Sequence, residues 1–225
     1  MISVVIPASG AGSRFGASVP KQFLDLKGKQ ILQRTIQAFE QMEIVGTIVV
    51  AVPLGYAQTV KDYGFSKVKH IVEGGESRAA SVFSALRALP ATTEIVLVHD
   101  GVRPFVTEDI VIAVVDAARN YGAAVACCPV TDTIKKVDSA RQITETPNRS
   151  DLWQAQTPQG FTYEMITKAY EWAVKEGLLS HVTDDSALVE RLGKPVFVVE
   201  SNRKNIKITT AEDMVIAAAF LDGDK

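Results

Sequence analysis

Short apolar runs alternate along most of the chain with stretches in which apolar residues recur every three or four positions. This alternation predicts strands separated by helices, and it favours an α/β fold in which helices cover both faces of a mostly parallel sheet. The runs that predict strands are residues 2–7, 47–52, 67–72, 94–99, 123–130 and 195–199.

Apolar residues at helical spacing indicate a helix over residues 79–89 and another after Thr107, a residue type suited to the N-cap. A further helix is expected to begin at Thr209 and to run to about Leu221. Thr209 and Glu212 have the spacing of a capping box, which supports this start. We assign the apolar stripes of these helices to the core.

The stretch 131–149 interrupts the alternation, because it has no helical stripe and carries short β-rich segments on either side of a polar turn at residues 138–140. It predicts a hairpin arm that leaves the main sheet. An isolated two-stranded hairpin is marginally stable in water, so the arm is expected to pack on something, and a second subunit is the natural candidate. An arm folded back onto its own domain is the alternative.

Length and composition indicate one domain over residues 1–225, with 131–150 as its arm, since 47% of the 225 residues are hydrophobic. The 24 basic and 26 acidic residues give a net charge of -2, which offers no broad surface for nucleic acid or a membrane. Adjacent Cys127 and Cys128 would point to opposite faces of a strand, so two buried free thiols and a cytoplasmic location are expected. The start of the chain also shows no signal-peptide pattern.

The first predicted strand runs into a loop of small residues, including Gly10 and Gly12, which lets backbone N–H groups approach a phosphate chain. Arg14 and Lys21 add cations to this loop. A strand, a glycine turn and two separated basic residues indicate a nucleoside triphosphate held for attack. A purely structural turn is the alternative for the glycine loop alone.

Two commoner phosphate loops are excluded. The glycine spacing differs by one residue from the dinucleotide fingerprint, and the strand 47–52 is not followed by an acidic residue that could hold a ribose. The chain also has no Gly-x-x-x-x-Gly-Lys-Ser/Thr run, which the P-loop requires.

Asp100 follows the predicted strand 94–99 directly and precedes a glycine, which places a carboxylate at the carboxyl edge of a parallel sheet. Magnesium accepts one or two carboxylates together with water and substrate phosphates, so Asp100 is a candidate Mg²⁺ ligand. A residue that only caps a turn is the alternative. His99, the last residue of the strand, is expected to serve packing or hydrogen bonding.

A glycine turn at Gly74 and Gly75 opens the helix over residues 79–89 and allows a base or ribose to approach closely. This signal is weak, because Glu76 and Ser77 also suit a helix N-terminus for capping alone. Two later basic elements, at Arg149 and Lys207, would add the cations that two polyanions need when they meet.

The order and spacing of motifs over nearly the whole chain resemble the 2-C-methyl-D-erythritol 4-phosphate cytidylyltransferases of the non-mevalonate isoprenoid pathway. The motifs are Ile6-Pro-Ala-Ser-Gly-Ala-Gly-Ser-Arg14, Pro20-Lys-Gln22, Gly74-Gly75, Val98-His-Asp-Gly-Val-Arg-Pro104, Asp132-Thr-Ile-Lys135, Trp153-Gln-Ala-Gln-Thr-Pro-Gln159, Thr183-Asp-Asp185 and Asn205-Ile-Lys207. The resemblance implies a Rossmann-like fold of the nucleotide-diphospho-sugar transferase type. It also implies a reaction that joins CTP and methylerythritol 4-phosphate to give the CDP-linked alcohol and pyrophosphate.

The same resemblance implies roles for individual residues. Arg14 and Lys21 would stabilise the reacting α-phosphate and the leaving pyrophosphate, while Arg149 and Lys207 would position the sugar phosphate. Asp100 would bind Mg²⁺. The residues that would surround the acceptor substrate are Arg103, Thr133, Arg149, Thr183 and Lys207. Those that would bind the nucleotide are Pro7, Ala8, Ser9, Gly10, Ala11, Gly12, Gly74, Glu76, Ser81 and Asp100.

In the family that the chain resembles, the arm is exchanged between the subunits of a homodimer, so Thr133 and Arg149 would serve the partner's site. A ribitol 5-phosphate cytidylyltransferase and a non-catalytic nucleotide-binding module are the alternatives. The turn at Glu76 and Ser77 differs from the common Gly-Asp-Glu-Arg pattern, and Lys204 replaces a carboxylate that some members carry. These differences concern the contacts to cytosine and to the polyol.

Overall fold

The computed structural model describes residues 1–10 and 19–223. Of the predicted site residues, Ala11, Gly12 and Arg14 lie outside the described residues.

The described strands are β1 (Ile2–Pro7), β2 (Asp25–Leu26), β3 (Lys29–Gln30), β4 (Val45–Val52), β5 (Val68–Glu73), β6 (Ile95–Val98), β7 (Ala123–Pro129), β8 (Lys136–Val137), β9 (Ile143–Glu145), β10 (Trp153–Thr162) and β11 (Phe197–Glu200). The helices are α1 (Ile31–Gln41), α2 (Ala57–Lys61), α3 (Arg78–Leu86), α4 (Glu108–Tyr121), α5 (Tyr163–Lys175), α6 (Ser186–Arg191) and α7 (Ala211–Gly223). Within residues 1–10 and 19–223, no helix combines the length and the apolarity needed to cross a bilayer.

The main sheet contains seven strands in the order β11-β7-β10-β6-β1-β4-β5. Neighbouring strands run parallel except at β10, which is antiparallel to both β6 and β7. All six predicted strands are present, with small shifts at their ends, and the predicted mostly parallel sheet is confirmed.

β10 is the strand of the main sheet that the hydrophobic pattern did not predict. Its buried side chains include Gln156, Thr157 and Gln159, which are polar. Its pairing with β7 is also interrupted between Ala155 and Gln159, around Pro158. A polar strand interrupted by proline shows no period-2 alternation, so the signal for a strand is lost.

The core lies on both faces of the sheet, because successive side chains of a strand point to opposite sides. Val4 and Ile6 of β1 pack with α1 and α4 in one buried apolar cluster. Val5, between them, belongs to the opposite cluster with α3, α5 and α6. Helices therefore cover both faces, as predicted, and the loops after the parallel strands meet at one edge.

The predicted helix starts are correct in position and partly wrong in detail. Thr107 precedes α4 in an extended conformation, but its side chain makes no capping hydrogen bond. The capping box of α7 is formed one residue later than predicted from Thr209 and Glu212. The Asp213 N–H donates to Thr210 Oγ1 at 3.3 Å, and Asp213 Oδ2 accepts from the Thr210 N–H at 2.9 Å. Threonine and acidic residues are adjacent here, so the spacing alone fits two registers.

Residues 131–149 form the predicted hairpin, in which β8 and β9 pair antiparallel. Asp138 Oδ1 closes its turn by accepting from the N–H groups of Ala140 and Gln142, each at 2.9 Å. Residues 131–146 are exposed throughout, including Val137 at 50% and Ile143 at 57%. The arm is therefore not folded back onto its own chain, and its apolar side chains are left for another contact.

Candidate active site

The loops after β1, β5 and β6 enclose a cavity of about 440 Å³ at the carboxyl edge of the sheet. Parallel α/β sheets bind their ligands at this edge. The cavity is lined by eight residues that the sequence marked as candidates, namely Pro7, Ala8, Ser9, Gly10, Lys21, Glu76, Asp100 and Lys207.

Ser81 and Gly74 hold the loops after β1 and β5 against each other. Ser81 is fully buried in α3, and its Oγ lies 2.6 Å from Ser9 Oγ and accepts from the Gly75 N–H at 3.1 Å. A Cβ on Gly74 would lie 2.2 Å from the Ser9 Cβ, so only glycine allows this close approach. Neither residue lines the cavity itself, so their predicted contact with the nucleotide stays a prediction, and in the structure they support the loops that form the wall.

Gln22 supports the loop after β1 through hydrogen bonds to its backbone. It is buried, and its Nε2 donates to the Ala8 carbonyl at 2.5 Å and to the Gly10 carbonyl at 3.3 Å. The loop carbonyls are thereby turned toward Gln22, which is a supporting role that residue-by-residue reasoning did not assign. Lys21, its neighbour in the chain, lines the cavity itself.

Asp100 lies at the centre of a cluster of three cations. Its Oδ1 is 3.0 Å from Arg78 Nε, and its Oδ2 is 2.9 Å from Lys207 Nζ and 3.4 Å from Arg103 Nε. Burial alone would raise the pKa of this carboxyl, but the charges of Arg78, Lys207 and Arg103 outweigh burial and hold the pKa well below its usual range. Asp100 is therefore ionised at every physiological pH.

Arg78 and Asp185 are site residues to which the sequence motifs gave no role. Arg78 Nη2 lies 2.8 Å from Asp185 Oδ2, so a single guanidinium contacts both Asp185 and Asp100. Burial would lower the pKa of Arg78, but the charges of Asp185 and Asp100 outweigh it and raise that pKa. Arg78 belongs to the first turn of a helix, where an exposed arginine is the ordinary expectation, so its place in the motif did not indicate a buried ion pair.

His99 is fully buried and hydrogen-bonded, as expected from its place at the end of the strand. Its Nε2 lies 2.9 Å from the Arg103 carbonyl, and its Nδ1 lies 3.1 Å from Thr157 Oγ1. Thr157 Oγ1 also accepts from the Asp100 N–H at 3.1 Å. Burial is the main cause that lowers the pKa of His99 to about 4, so the ring is neutral at neutral pH.

A second cavity of about 240 Å³ adjoins the first and shares Arg78, Asp100 and Lys207 with it. It is also lined by Arg103 and Thr183, two of the predicted acceptor residues. The remaining lining residues are Ala155, Gln156, Thr157, Gln159 and Asp184. The polar side chains of β10 thus form one wall, which explains why this strand lacks an apolar pattern.

The structure does not bring Thr133 and Arg149 to these cavities. Both residues lie on the arm or at its base and are exposed, and Arg149 Nη1 donates to the Thr131 carbonyl at 2.9 Å. Neither lines the cavities of its own chain. Their predicted contact with substrate therefore stays a prediction that requires a second subunit.

The surroundings of Asp100 fit a magnesium ion that arrives with a nucleotide. A carboxylate offers about four lone-pair positions, and the three cations contact it at three points. Magnesium needs only one or two carboxylates when substrate phosphates supply other ligands. The part of the chain that the structure describes contains no group of three or more His, Cys, Asp or Glu side chains that could hold a metal without the substrate.

Transfer between phosphates depends on positioning and charge, and it requires no protein nucleophile. The two adjoining cavities suit this chemistry, because Arg78 and Lys207 stand between them and Lys21 faces the larger one. The fold and the site together define a nucleotidyltransferase. The model of the 2-C-methyl-D-erythritol 4-phosphate cytidylyltransferase family matches residues 2–223, and the chain belongs to that family.

Relatives and solved structures agree with this assignment. The chain is 46% identical to the 2-C-methyl-D-erythritol 4-phosphate cytidylyltransferase of Desulforamulus reducens, over 98% of this chain and 95% of that protein. Identity to the enzyme of Geobacter metallireducens is also 46%, over 98% and 97% of the two chains. The crystal structure of 4-diphosphocytidyl-2C-methyl-D-erythritol synthase from Anaerococcus prevotii superposes with a TM-score of 0.88 at 31% identity, covering 98% of this chain and 96% of that one.

Proposed function

We propose that the chain joins CTP and 2-C-methyl-D-erythritol 4-phosphate in the two adjoining cavities, giving 4-CDP-2-C-methyl-D-erythritol and pyrophosphate for isoprenoid synthesis. The assignment of this reaction is supported by membership of the family. The observation that supports its location is the position of Lys207, which lines both cavities at the centre of the site.

In this reaction a phosphate oxygen of the acceptor attacks the α-phosphorus of CTP. A new O–P bond forms at the α-phosphorus, the bond to the β-phosphate breaks, and pyrophosphate leaves with the electron pair. A phosphate monoester is largely dianionic at neutral pH, because its second pKa is about 6, so the protein needs no general base. The protein must instead bring two anions together and offset their charge.

The lining of the cavities supports different roles for different cations. Lys21 faces the larger cavity, where we assign it, together with Arg14, to the α-phosphate and the leaving pyrophosphate. Lys207 and Arg103 face the smaller cavity, where we assign them to the acceptor phosphate. The loop residues Pro7–Gly10 and the turn near Gly74 and Glu76 are assigned to the nucleotide.

We assign Asp100 as the protein ligand of a magnesium ion that accompanies CTP. The ion supplies charge neutralisation at the phosphates when it is bound. Asp100 suits this role because it remains ionised at physiological pH and faces both cavities.

We further propose that the chain forms a homodimer through the arm at residues 131–150 and that it functions in the cytoplasm. The exposed apolar side chains of the arm support the dimer, which would deliver Thr133 and Arg149 to the partner's site. Cys127 and Cys128 are buried free thiols, a state that a reducing compartment maintains.

Steady-state release of pyrophosphate tests the function. With CTP and magnesium, we expect turnover with methylerythritol 4-phosphate to exceed turnover with ribitol 5-phosphate. Faster turnover of ribitol 5-phosphate would reassign the acceptor, and no pyrophosphate release with either acceptor would contradict the proposed function.

A further inference from the structure

We infer that Arg78 is a positioning residue that joins the nucleotide side of the site to the acceptor side, by pairing with Asp100 and Asp185 at once. This inference rests on the proposed function, because it assigns the two cavities to the two substrates. It concerns a residue that stands outside the cations assigned above to phosphate binding.

Arg78 is rigidly placed at the start of α3. Ser77 precedes the helix in an extended conformation and caps it, since Ser77 Oγ accepts from the Ala80 N–H at 3.0 Å. The turn that leads into this helix lines the larger cavity. The backbone of Arg78 is therefore tied to the nucleotide side, and its side chain, 26% exposed, lines both cavities.

Asp185 is just as firmly held on the acceptor side. It is fully buried, its Oδ1 accepts from Tyr170 Oη at 2.5 Å, and its backbone N–H donates to Gln159 Oε1 at 3.1 Å. Thr183 and Asp184, the two residues before it, line the smaller cavity. A displacement of Asp185 would therefore move the acceptor wall.

The guanidinium geometry explains why an arginine is needed here. Nε pairs with Asp100 at 3.0 Å and Nη2 pairs with Asp185 at 2.8 Å, so two separate nitrogens serve two carboxylates. A lysine presents one compact ammonium, which cannot reproduce this two-point contact. The contact to Asp100 is a charge-assisted hydrogen bond and the contact to Asp185 is an ion pair, and partial burial limits the screening of both by solvent.

The experiment compares R78K, D185N and the double variant R78K/D185N. R78K keeps the positive charge beside Asp100, and D185N keeps an oxygen that can accept from Tyr170. We expect each single variant to raise KM for methylerythritol 4-phosphate by roughly 10- to 100-fold, the effect of losing one contact between charged groups. KM for CTP is expected to change by less than about threefold, because the nucleotide wall keeps its contacts.

The double variant separates a shared contact from two independent structural effects. If both residues act through the same ion pair, the acceptor KM of the double variant should be within about twofold of the higher of the two single-variant KM values. Calorimetry supplies a second readout, in which acceptor binding is measured with a methylene-bridged CTP analogue and magnesium. The dissociation constant of the acceptor should rise in the same pattern as its KM.

Arg119 provides the matched control, because it also contacts two carboxylates, Glu94 at 3.2 Å and Asp116 at 3.9 Å, but lies 42% exposed and outside both cavities. R119K and E94Q should leave both KM values unchanged. Circular dichroism establishes that each variant is folded. If R78K or D185N fails to fold, Y170F replaces it, since it removes the support of Asp185 and keeps both charges.

The inference would be overturned if both single variants kept the wild-type KM for the acceptor. It would also be overturned if the free-energy losses of the two single variants simply added in the double variant. Failure of the proposed function is distinguishable, because the wild-type protein itself would then release no pyrophosphate with methylerythritol 4-phosphate.

Discussion

Single side chains at this site act mainly through charge. Asp100 is surrounded by Arg78, Arg103 and Lys207, and it holds these three cations at the junction of the two cavities. Cations held in this way stabilise charge that develops between two phosphates, because they are oriented before the reaction begins. Removal of one such group should therefore affect turnover far more than folding when the group faces the cavity.

Lys21→Ala is expected to lower kcat by roughly 100- to 1000-fold, the usual cost of removing one group that stabilises a transition state. Steady-state kinetics with CTP and methylerythritol 4-phosphate measure this loss. Lys27→Ala is the control, because Lys27 pairs with Asp222 at 3.0 Å on an exposed surface. A Lys21→Ala protein that is folded and turns over at the wild-type rate would contradict the role of Lys21.

His99 should make the stability of the substrate-free protein depend on pH. An unfolded chain protonates histidine near pH 6.5, whereas burial lowers the pKa of His99 in the folded protein to about 4. The unfolded state therefore binds more protons between these values, and stability falls as the pH drops through this window. The loss should reach about 3 kcal/mol near pH 4 and be absent above pH 7.

Urea denaturation of wild type and His99→Asn, without magnesium, measures the effect. Asparagine can still accept from Thr157 but does not titrate, so the difference between the two stability curves should narrow as the pH falls from 7 to 4. Parallel curves over that range would show that His99 is not held neutral in the folded state.

The secondary-structure elements show what hydrophobic patterning can predict. It predicted the six strands whose side chains are apolar on one or both faces, and it predicted α3 and α4. It missed β10 because Gln156 and Gln159 are buried for hydrogen bonding. The contact between Arg78 and Asp185 also escaped prediction, because it joins residues more than one hundred positions apart, and no local pattern reports such a pair.

The start of α7 offers a direct comparison of two adjacent acidic residues. Asp213 accepts from the N–H groups of Thr209 and Thr210, at 2.7 and 2.9 Å, whereas the exposed Glu212 accepts from its own N–H and from the Thr210 side chain. Asp213→Ala should lower the free energy of unfolding by about 1 kcal/mol, and Glu212→Ala by clearly less. Urea denaturation at pH 7 compares the two variants. An equal or larger loss of stability for Glu212→Ala would contradict the assignment of the cap to Asp213.

The molecule as a whole has its two cavities in one chain and its arm projecting away from them. Arg149 and Thr133 lie on this arm, and in the proposed dimer they would be supplied to the site of the other subunit. The core of the chain is formed without the arm, whose residues 131–146 are exposed. Changes in the arm should therefore alter assembly and activity while leaving the fold intact.

Ile143→Glu should convert the proposed dimer into a monomer, because a charge in place of an apolar side chain is costly to bury at an interface. Analytical ultracentrifugation measures the mass, and turnover should fall together with the dimer fraction. Val174→Glu replaces another exposed apolar residue, on α5, and should change neither the mass nor the turnover. A fully active monomeric Ile143→Glu protein would contradict the assignment of Arg149 to the partner's site.

The most direct measurement of the central claim is a crystal structure of the protein with CTP and magnesium. We predict that the triphosphate lies in the larger cavity, against the backbone of Ser9 and Gly10, with Lys21 directed at the phosphates and Asp100 at the metal. A nucleotide bound elsewhere on the molecule, with Lys21 facing solvent and this cavity empty, would contradict the account.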